Sequence, residues 1–593
     1  MRPRGARRSV NGGTGRNLKD IQAIPRMTTQ TDILIVGAGP AGLLAAIIAA
    51  QLGLRYEVVE RRSGLHPEPS AHVLKTHTME VYRRVGAAER IFAESTDDDL
   101  QRCIVWCESL KGLCYGRLDL GGKKGLTPRF TRISPVHSAN VPQNLVEPLL
   151  HSRLKEVAGG DPVRFGCRLT DLAQDADGVT AQVEENGQLR EIRASYVLGA
   201  DGAGSRVRRS VGIAMEGPPV LAHFLAIHIR SDAMPILNRH PGVVFFVRAP
   251  EMSGFFIMHQ PIGSQVFMLR IDPEITPRES FTEERCREIM DQVIGGQHEY
   301  DISSIDDWVM SAQIAERYRE GRALLIGDAG HRFPPTGGLG LNTGVEDVEN
   351  LLWKLAAVIR GKASDALLDS YEQECRPIAI RNTRQSVKNN ERMQIIETAL
   401  GAEGGEDTLA AVIEELNADP DHPRFGRLRE AIDDQIDHFA YLELEMAAYI
   451  AQGLFIPADR KIAKPFAPVE GYQPSFEPGN YIPHFWISDG CAAIDVLRFD
   501  RFTLFVPSSD ELAWREAMAA IGDSFLPVEV VAINADMRSQ QGSVGDYWGD
   551  EPFALLIRPD GRIGWVEPDS MPDREDALRQ ALARLSARQE ETA

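Results

Sequence analysis

The chain runs to 593 residues with 43% apolar side chains, enough for two or three domains, each with a core of its own. A formal charge of −20 and a pI near 5.3 argue against nucleic acid or an anionic membrane as a main partner. The seven cysteines, odd in number and without a C-x-x-C pair, suit a reducing, cytoplasmic setting.

Residues 1–26 carry seven Arg or Lys against one Asp and no apolar centre, which predicts a disordered basic tail over 1–30, with Met27 a candidate start and a targeting leader the alternative. Asp32 to Gly42 then reads DILIVGAGPAG. Ile33-Leu34-Ile35-Val36 is a buried parallel strand by its pattern, and Leu43 to Ala50 an apolar helix. Between them stand Gly37, Gly39 and Gly42, spaced for the tight turn, the close approach of a pyrophosphate and the packing of helix on strand. The apolar run behind a basic leader also has the look of a signal anchor. The glycine register, with Glu60 closing the strand Tyr56–Val59 at the distance of a ribose ligand, favours a dinucleotide site.

Cys103, Cys107 and Cys114 lie close together, but no histidine is among them and the spacing suits no common zinc module, so no metal site is expected. Residues 130–155 give a strand-like piece and a helix from Val141, and 164–197 a β-meander turning at Asp177-Gly178 and Asn186-Gly187. Residues 222–272 alternate and are rich in Phe, Val and Ile, as a second, antiparallel sheet would be. Leu324-Leu325-Ile326 is a further buried strand, closed by Gly327-Asp328. A glycine-rich loop over 334–344 leads into a helix whose start carries a capping box, Thr343-x-x-Glu346. Charged helical sequence fills 366–450, and a Pro-rich linker spans 464–483. In the last hundred residues, strands Phe502–Val506 and Val528–Ile533 flank a helix over Glu511–Ile521, and a hairpin turns at Pro559-Asp560-Gly561.

The glycine fingerprint, Asp201-Gly202 and Gly327-Asp328 with its loop together resemble the single-component FAD-dependent aromatic hydroxylases of the p-hydroxybenzoate hydroxylase fold. The loop from Phe333 to Gly344 and Asn350-Leu351-Leu352-Trp353-Lys354-Leu355 are most similar to the phenol and chlorophenol branch. The tail from Tyr472-x-Pro474 through Arg558-Pro559-Asp560-Gly561 is similar to that branch's thioredoxin-like domain, here without a dithiol and so expected to be structural. The resemblance implies an α/β fold: a Rossmann-like FAD domain (31–215 and 318–400) interleaved with an antiparallel-sheet substrate domain (216–317), a helical region (401–463) and a thioredoxin-like domain (484–593).

It also implies roles. Gly37, Gly39 and Gly42 would hold the diphosphate and Glu60 the adenosine ribose; Gln143 would touch the flavin, and Asp328 the ribityl or diphosphate region. Gly338, Gly340, Leu341 and Asn342 would lie along the flavin pyrimidine edge, and Asp201 would serve FAD and NADPH, with Arg206 and Arg208 drawing nicotinamide phosphates. Pro69-Ser70-Ala71-His72 lacks an arginine that many relatives have beside the flavin, for which Arg61 or Arg62 would stand in. His72 is the leading acid/base candidate, ahead of Lys75 and His77; His259, Gln260 and Pro334 are placed on the substrate side. The expected activity is hydroxylation of a small phenolic ring, ortho to its hydroxyl, with NAD(P)H and O2 through a flavin C4a-hydroperoxide, by a homodimer. The alternatives are a flavin-dependent halogenase or reductase, though no W-x-W-x-I-P signature is present, and a non-catalytic flavin-binding assembly protein.

Overall fold

A computed structural model describes residues 28–588, apart from 102, 121–132, 238, 447–448, 463–471, 535–537, 540–541, 544–547, 549–552 and 572. Its eight-stranded nucleotide sheet has a parallel centre in the order Ala323–Leu325, Gln188–Gly199, Thr28–Val36, Tyr56–Glu60, Val163–Phe165. The chain's first strand lies inside the sheet, so strands on both sides reach it by crossovers. Ile33, Leu34 and Ile35 are fully buried there. So are Leu43 to Ala49 of the helix Pro40–Gln51, which is apolar all round because protein covers it on every side. At 12 residues it is too short to span a bilayer, and among the described residues no helix is long and apolar enough to do so.

Thr28, Thr29 and Gln30 already pair with Glu191, Ile192 and Arg193, so the expected tail gives up its last residues to the sheet; residues 1–27 lie outside the described part. The meander forms as expected, with Asn186 (φ 54°) and Gly187 (φ 75°) making its second turn.

The second sheet has seven strands in the order Tyr300–Met310, Ala222–Asp232, Ile262–Ile271, Met252–Met258, Val244–Ala249, Cys103–Cys107, Cys114–Asp119. The last two come from the 31–215 span expected to belong wholly to the nucleotide domain. Cys103–Cys107 is buried on both faces, Val105 and Cys107 against the sheet's own core and Ile104 and Trp106 against the helices Gln394–Leu400, Glu406–Ala418 and Arg424–Asp433. Such a strand shows no alternation in sequence and does not announce its sheet.

The C-terminal sheet runs Val528–Ile533, Phe502–Pro507, Leu555–Ile557, Ile563–Val566, with its first pair parallel and the others antiparallel. Glu511–Ile521 and Arg574–Leu585 pack beside it. Its core is shared: Phe502, Leu504 and Trp514 pack with Trp353, Ala357 and Leu367 of the nucleotide domain. Of the expected linker, 464–471 lies outside the described residues, and the remainder is not a tether. Phe476, Tyr481 and Ile482 are buried in the C-terminal core, and Asn480 accepts the Ile563 N–H at 2.9 Å.

Candidate functional site

Backbone sterics fix the first turn. Gly37 has φ 108°, and a Cβ there would stand 2.2 Å from the Ala200 carbonyl oxygen; one on Gly42 would stand 2.0 Å from the Gly37 oxygen. At Gly39 no atom lies within 4 Å of the Cβ position, so the chain itself leaves room in front of the N-terminus of Pro40–Gln51. The free N–H groups of that first turn face it. Glu60 ties the turn to the next strand, accepting from Ala38 N and Arg62 N, each at 2.9 Å.

The three segments that the sequence suggested would converge do so. Gly327 and Gly344 approach until a Cβ on Gly344 would be 3.2 Å from the Gly327 Cα, and one on Gly327 would be 3.4 Å from the Ala41 Cβ. Asp201 accepts from Arg206 N (2.5 Å) and Val207 N (3.1 Å) through Oδ2, while its buried Oδ1 has no partner among the described residues. Asp328 is exposed, yet desolvation by the protein around it raises its carboxyl pKa above the ordinary value. Two residues missed in the sequence brace this turn: Asp347 accepts from Gly327 N (2.9 Å) and meets His331 Nε2 (2.8 Å).

The helix after the loop, Gly340–Ile359, begins earlier than the apparent capping box. Thr343 is inside its first turn, donating to Leu339 O (2.9 Å) and accepting from Asn382 Nδ2 (2.9 Å). Its intrinsic preference for capping is overridden by those two partners. The open N–H groups therefore start at Gly340, where again no atom lies within 4 Å of the Cβ position. The Asn342 side chain is fully used: Oδ1 accepts from Lys75 N (2.8 Å) and Thr78 Oγ1 (2.7 Å), and Nδ2 donates to Val73 O (2.9 Å) and Gly338 O (2.6 Å). It fastens the His72 segment to the loop and leaves the N–H groups of 340–342 open at the start of the helix.

His72 sits at the end of a defined hydrogen-bond chain. The single Thr96 Oγ1 hydrogen goes to His259 O (3.1 Å), so Thr96 accepts from Asn140 Nδ2 (2.9 Å), and this turns Asn140 Oδ1 toward His72 Nδ1 at 2.5 Å. An amide oxygen only accepts, so Nδ1 carries the proton and Nε2 keeps its lone pair. Burial lowers the imidazole pKa, against the opposing effect of the Asn140 bond, and the ring is neutral at pH 7.

The other candidates are placed differently. His77 is buried between Glu349 (Nε2, 2.8 Å) and Glu80 (Nδ1, 3.2 Å); despite its burial these carboxylates raise its pKa to about 10, so it is a fixed cation and unsuited to be a base at neutral pH. Lys75 is buried at the N-cap of Thr76–Arg84, beside His438, whose pKa burial and then the charges of Lys75 and Arg392 push down to about 3. His259 is wholly enclosed, its ring edge-on to His72 with centroids 5.2 Å apart, so it backs the His72 ring and offers no surface to a substrate. Gln143 donates to Glu147 (2.7 Å) at the start of Gln143–Ala158. Pro334 is buried in the loop, whereas Arg61 is exposed just beyond Glu60. Arg208 is buried and donates to Ala329 O (2.7 Å) and Ala203 O (3.1 Å), and Arg206 donates to Thr170 O (2.6 Å); both hold protein carbonyls. No cluster of three or more His, Cys, Asp or Glu able to hold a metal occurs among the described residues.

Residues 30–386 match the FAD binding domain family and residues 476–588 the aromatic-ring hydroxylase C-terminal family. The chain is 30% identical over 591 residues to 2,4-dichlorophenol 6-monooxygenase of Cupriavidus pinatubonensis, covering 95% of this chain and 98% of that one. It is 29% identical to aklavinone 12-hydroxylase RdmE of Streptomyces purpurascens, over 94% of this chain and 99% of the other. Among solved structures, the flavin-dependent monooxygenase PieE in complex with FAD and substrate superposes with a TM-score of 0.83 at 28% identity, covering 94% of this chain and 99% of that one.

Proposed function

The chain belongs to the FAD-dependent aromatic-ring hydroxylases, and from that premise we propose that it hydroxylates a phenolic ring ortho to an existing hydroxyl, with NAD(P)H as reductant and His72 as the base. The observation that carries the reading is the Thr96–Asn140–His72 chain, which leaves Nε2 of a neutral imidazole able to take a proton. A phenol becomes nucleophilic at carbon as it loses its proton, and a neutral imidazole suits that transfer.

The residues present fit FAD. The space before Gly39 admits a diphosphate onto the N-terminus of Pro40–Gln51, the unpartnered Asp201 Oδ1 can accept a hydroxyl, and the exposed Asp328 would serve the ribityl region. Glu60, with both oxygens already accepting amides, keeps lone pairs for a ribose, and Gln143 would lie at the flavin side. The bound flavin supplies electron transfer from NAD(P)H and activation of O2. The open amides at 340–342 would stabilise negative charge on a bound flavin. Replacement of His72 by Ala should slow hydroxylation of ordinary phenols about 10- to 1000-fold with flavin content unchanged, and nitrophenols, which ionise unaided, far less. A loss equal for all phenols refutes the base.

A further inference from the structure

The C-terminal domain, expected to be structural, holds the back of the helix whose front carries the His72 segment. Thr76–Arg84 starts directly after that segment, and Asn342 pins its N-terminal end to the glycine loop. Its other end is gripped from the C-terminal domain. Arg83 forms a two-pronged pair with Asp495 (Nε–Oδ1 2.7 Å, Nη2–Oδ2 2.9 Å). Arg84 donates to Glu349 (2.5 Å) and to the Pro559 carbonyl (2.6 Å), and its guanidinium lies 4.1 Å from the Phe499 ring centroid. In the first turn, the His77 ring meets Tyr481 edge-on with centroids 4.5 Å apart.

The second helix of the site is held likewise. Gly340–Ile359, whose first turn is the glycine loop's amide surface, sends Asn350 to Asp560 (3.2 Å) and Glu374 (2.7 Å), and Lys354 to Glu374 (2.8 Å). Arg558 from the C-terminal hairpin closes the set on Glu374 (2.7 and 2.9 Å) and Asp560. Lys354, Glu374 and Arg558 are fully buried, so water does not loosen these bonds. Glu349 joins the two systems, since it accepts from Arg84 and meets His77.

We propose that the C-terminal domain is a positioning element of the active site: through Arg84 and Arg83 it sets the helix that aims the His72 segment at the flavin, and so decides how much reducing power ends in product. Two helices that converge on one site are gripped by one domain, Thr76–Arg84 at its far end and Gly340–Ile359 along its middle, and a shift of that domain moves both together. A displacement on the order of 1 Å at a reacting group is enough to cost about 100-fold in rate. The inference rests on His72 as the base.

The experiment uses full-length holoenzyme and measures product formed per NAD(P)H consumed. Arg84→Ala, which leaves Glu349 its His77 partner, should keep flavin content but lower product per NAD(P)H at least threefold, the excess appearing as hydrogen peroxide. Arg84→Lys, with its charge but not its fork, should recover part of the loss. Arg83→Ala and Asp495→Asn break a partly exposed pair, should remain folded, and should each uncouple to a smaller extent. If all of these variants couple like wild type while melting at lower temperature, the domain is only structural and the proposal falls. If His72→Ala leaves hydroxylation unimpaired, the base assignment falls instead, so the two failures are distinct.

Discussion

Asn140→Asp puts a carboxylate where an amide oxygen stands 2.5 Å from His72 Nδ1, without changing side-chain size. The Thr96 hydroxyl, which now accepts from Asn140 Nδ2, would turn its hydrogen to the new oxygen. Two opposite unit charges about 4 Å apart attract by about 4 kcal/mol at an effective dielectric of about 20. Part of that is lost to burying the carboxylate, and a net rise of about 1–3 pKa units for the imidazole is the ordinary outcome. The wild-type ring is held below its ordinary value by burial, so its protonation limits the rate only in acid. In the variant the acid limb of kcat against pH moves up by that 1–3 units. Where that rise carries the ring past neutrality, activity at pH 7 falls and returns as the pH is raised. The assay is steady-state hydroxylation from pH 5 to 10 with flavin content measured at each point. An acid limb that stays put in a flavin-replete variant would refute the Thr96–Asn140–His72 chain as the control of the base.

Gly39→Val should abolish FAD binding yet leave the melting temperature of the apoprotein nearly unchanged, because Gly39 has φ −74° and its Cβ position meets no protein atom. Gly42→Ala, aimed at a carbonyl oxygen 2.0 Å away, should destabilise the fold itself; calorimetry and flavin absorbance separate the two. Deleting 476–588 should yield insoluble chain, since it bares Lys354 and Glu374 and half of a shared core, whereas Cys491→Ser should keep full activity. Stability should fall on both sides of neutrality in pH-dependent melting. His484, pushed down to about 4 by burial, binds a proton more readily unfolded, so stability is lost as pH falls below about 6.5, on the order of 3 kcal/mol by pH 4. His77, raised to about 10, has the opposite sign: its contribution is complete below about 6.5 and is lost as pH rises toward 10. A flat stability profile from pH 4 to 10 would contradict both assignments.

Backbone constraints were the most legible part of the sequence. Gly37 and Gly42 are dictated by close approach and Gly327 by its φ of 59°, and such demands leave a fixed spacing that a single chain can show. Polar partnerships were not legible. Asn140 meets His72 across 68 residues and Thr96 across 44, and no local pattern marks a side chain that distant in sequence. His77 looked like a second base because Glu349, 272 residues away, joins its helical neighbour Glu80 only once the helices pack. Asn350-Leu351-Leu352-Trp353-Lys354-Leu355 and Arg558-Pro559-Asp560-Gly561 were read as separate signatures; Asn350, Lys354, Arg558 and Asp560 meet around Glu374 at the seam of two domains. The misread capping box at Thr343 has the same origin, a local preference overruled by Asn382 from the next helix.

The most direct test of phenol hydroxylation is isotopic. Holoenzyme with NAD(P)H and 18O2 is offered a panel of phenols, and products are analysed by mass and ring position. One 18O atom per product, ortho to the original hydroxyl, with NAD(P)H oxidation stimulated by the same phenols, is the predicted result. Flavin-replete enzyme that consumes NAD(P)H but places no 18O on any phenolic ring would contradict it.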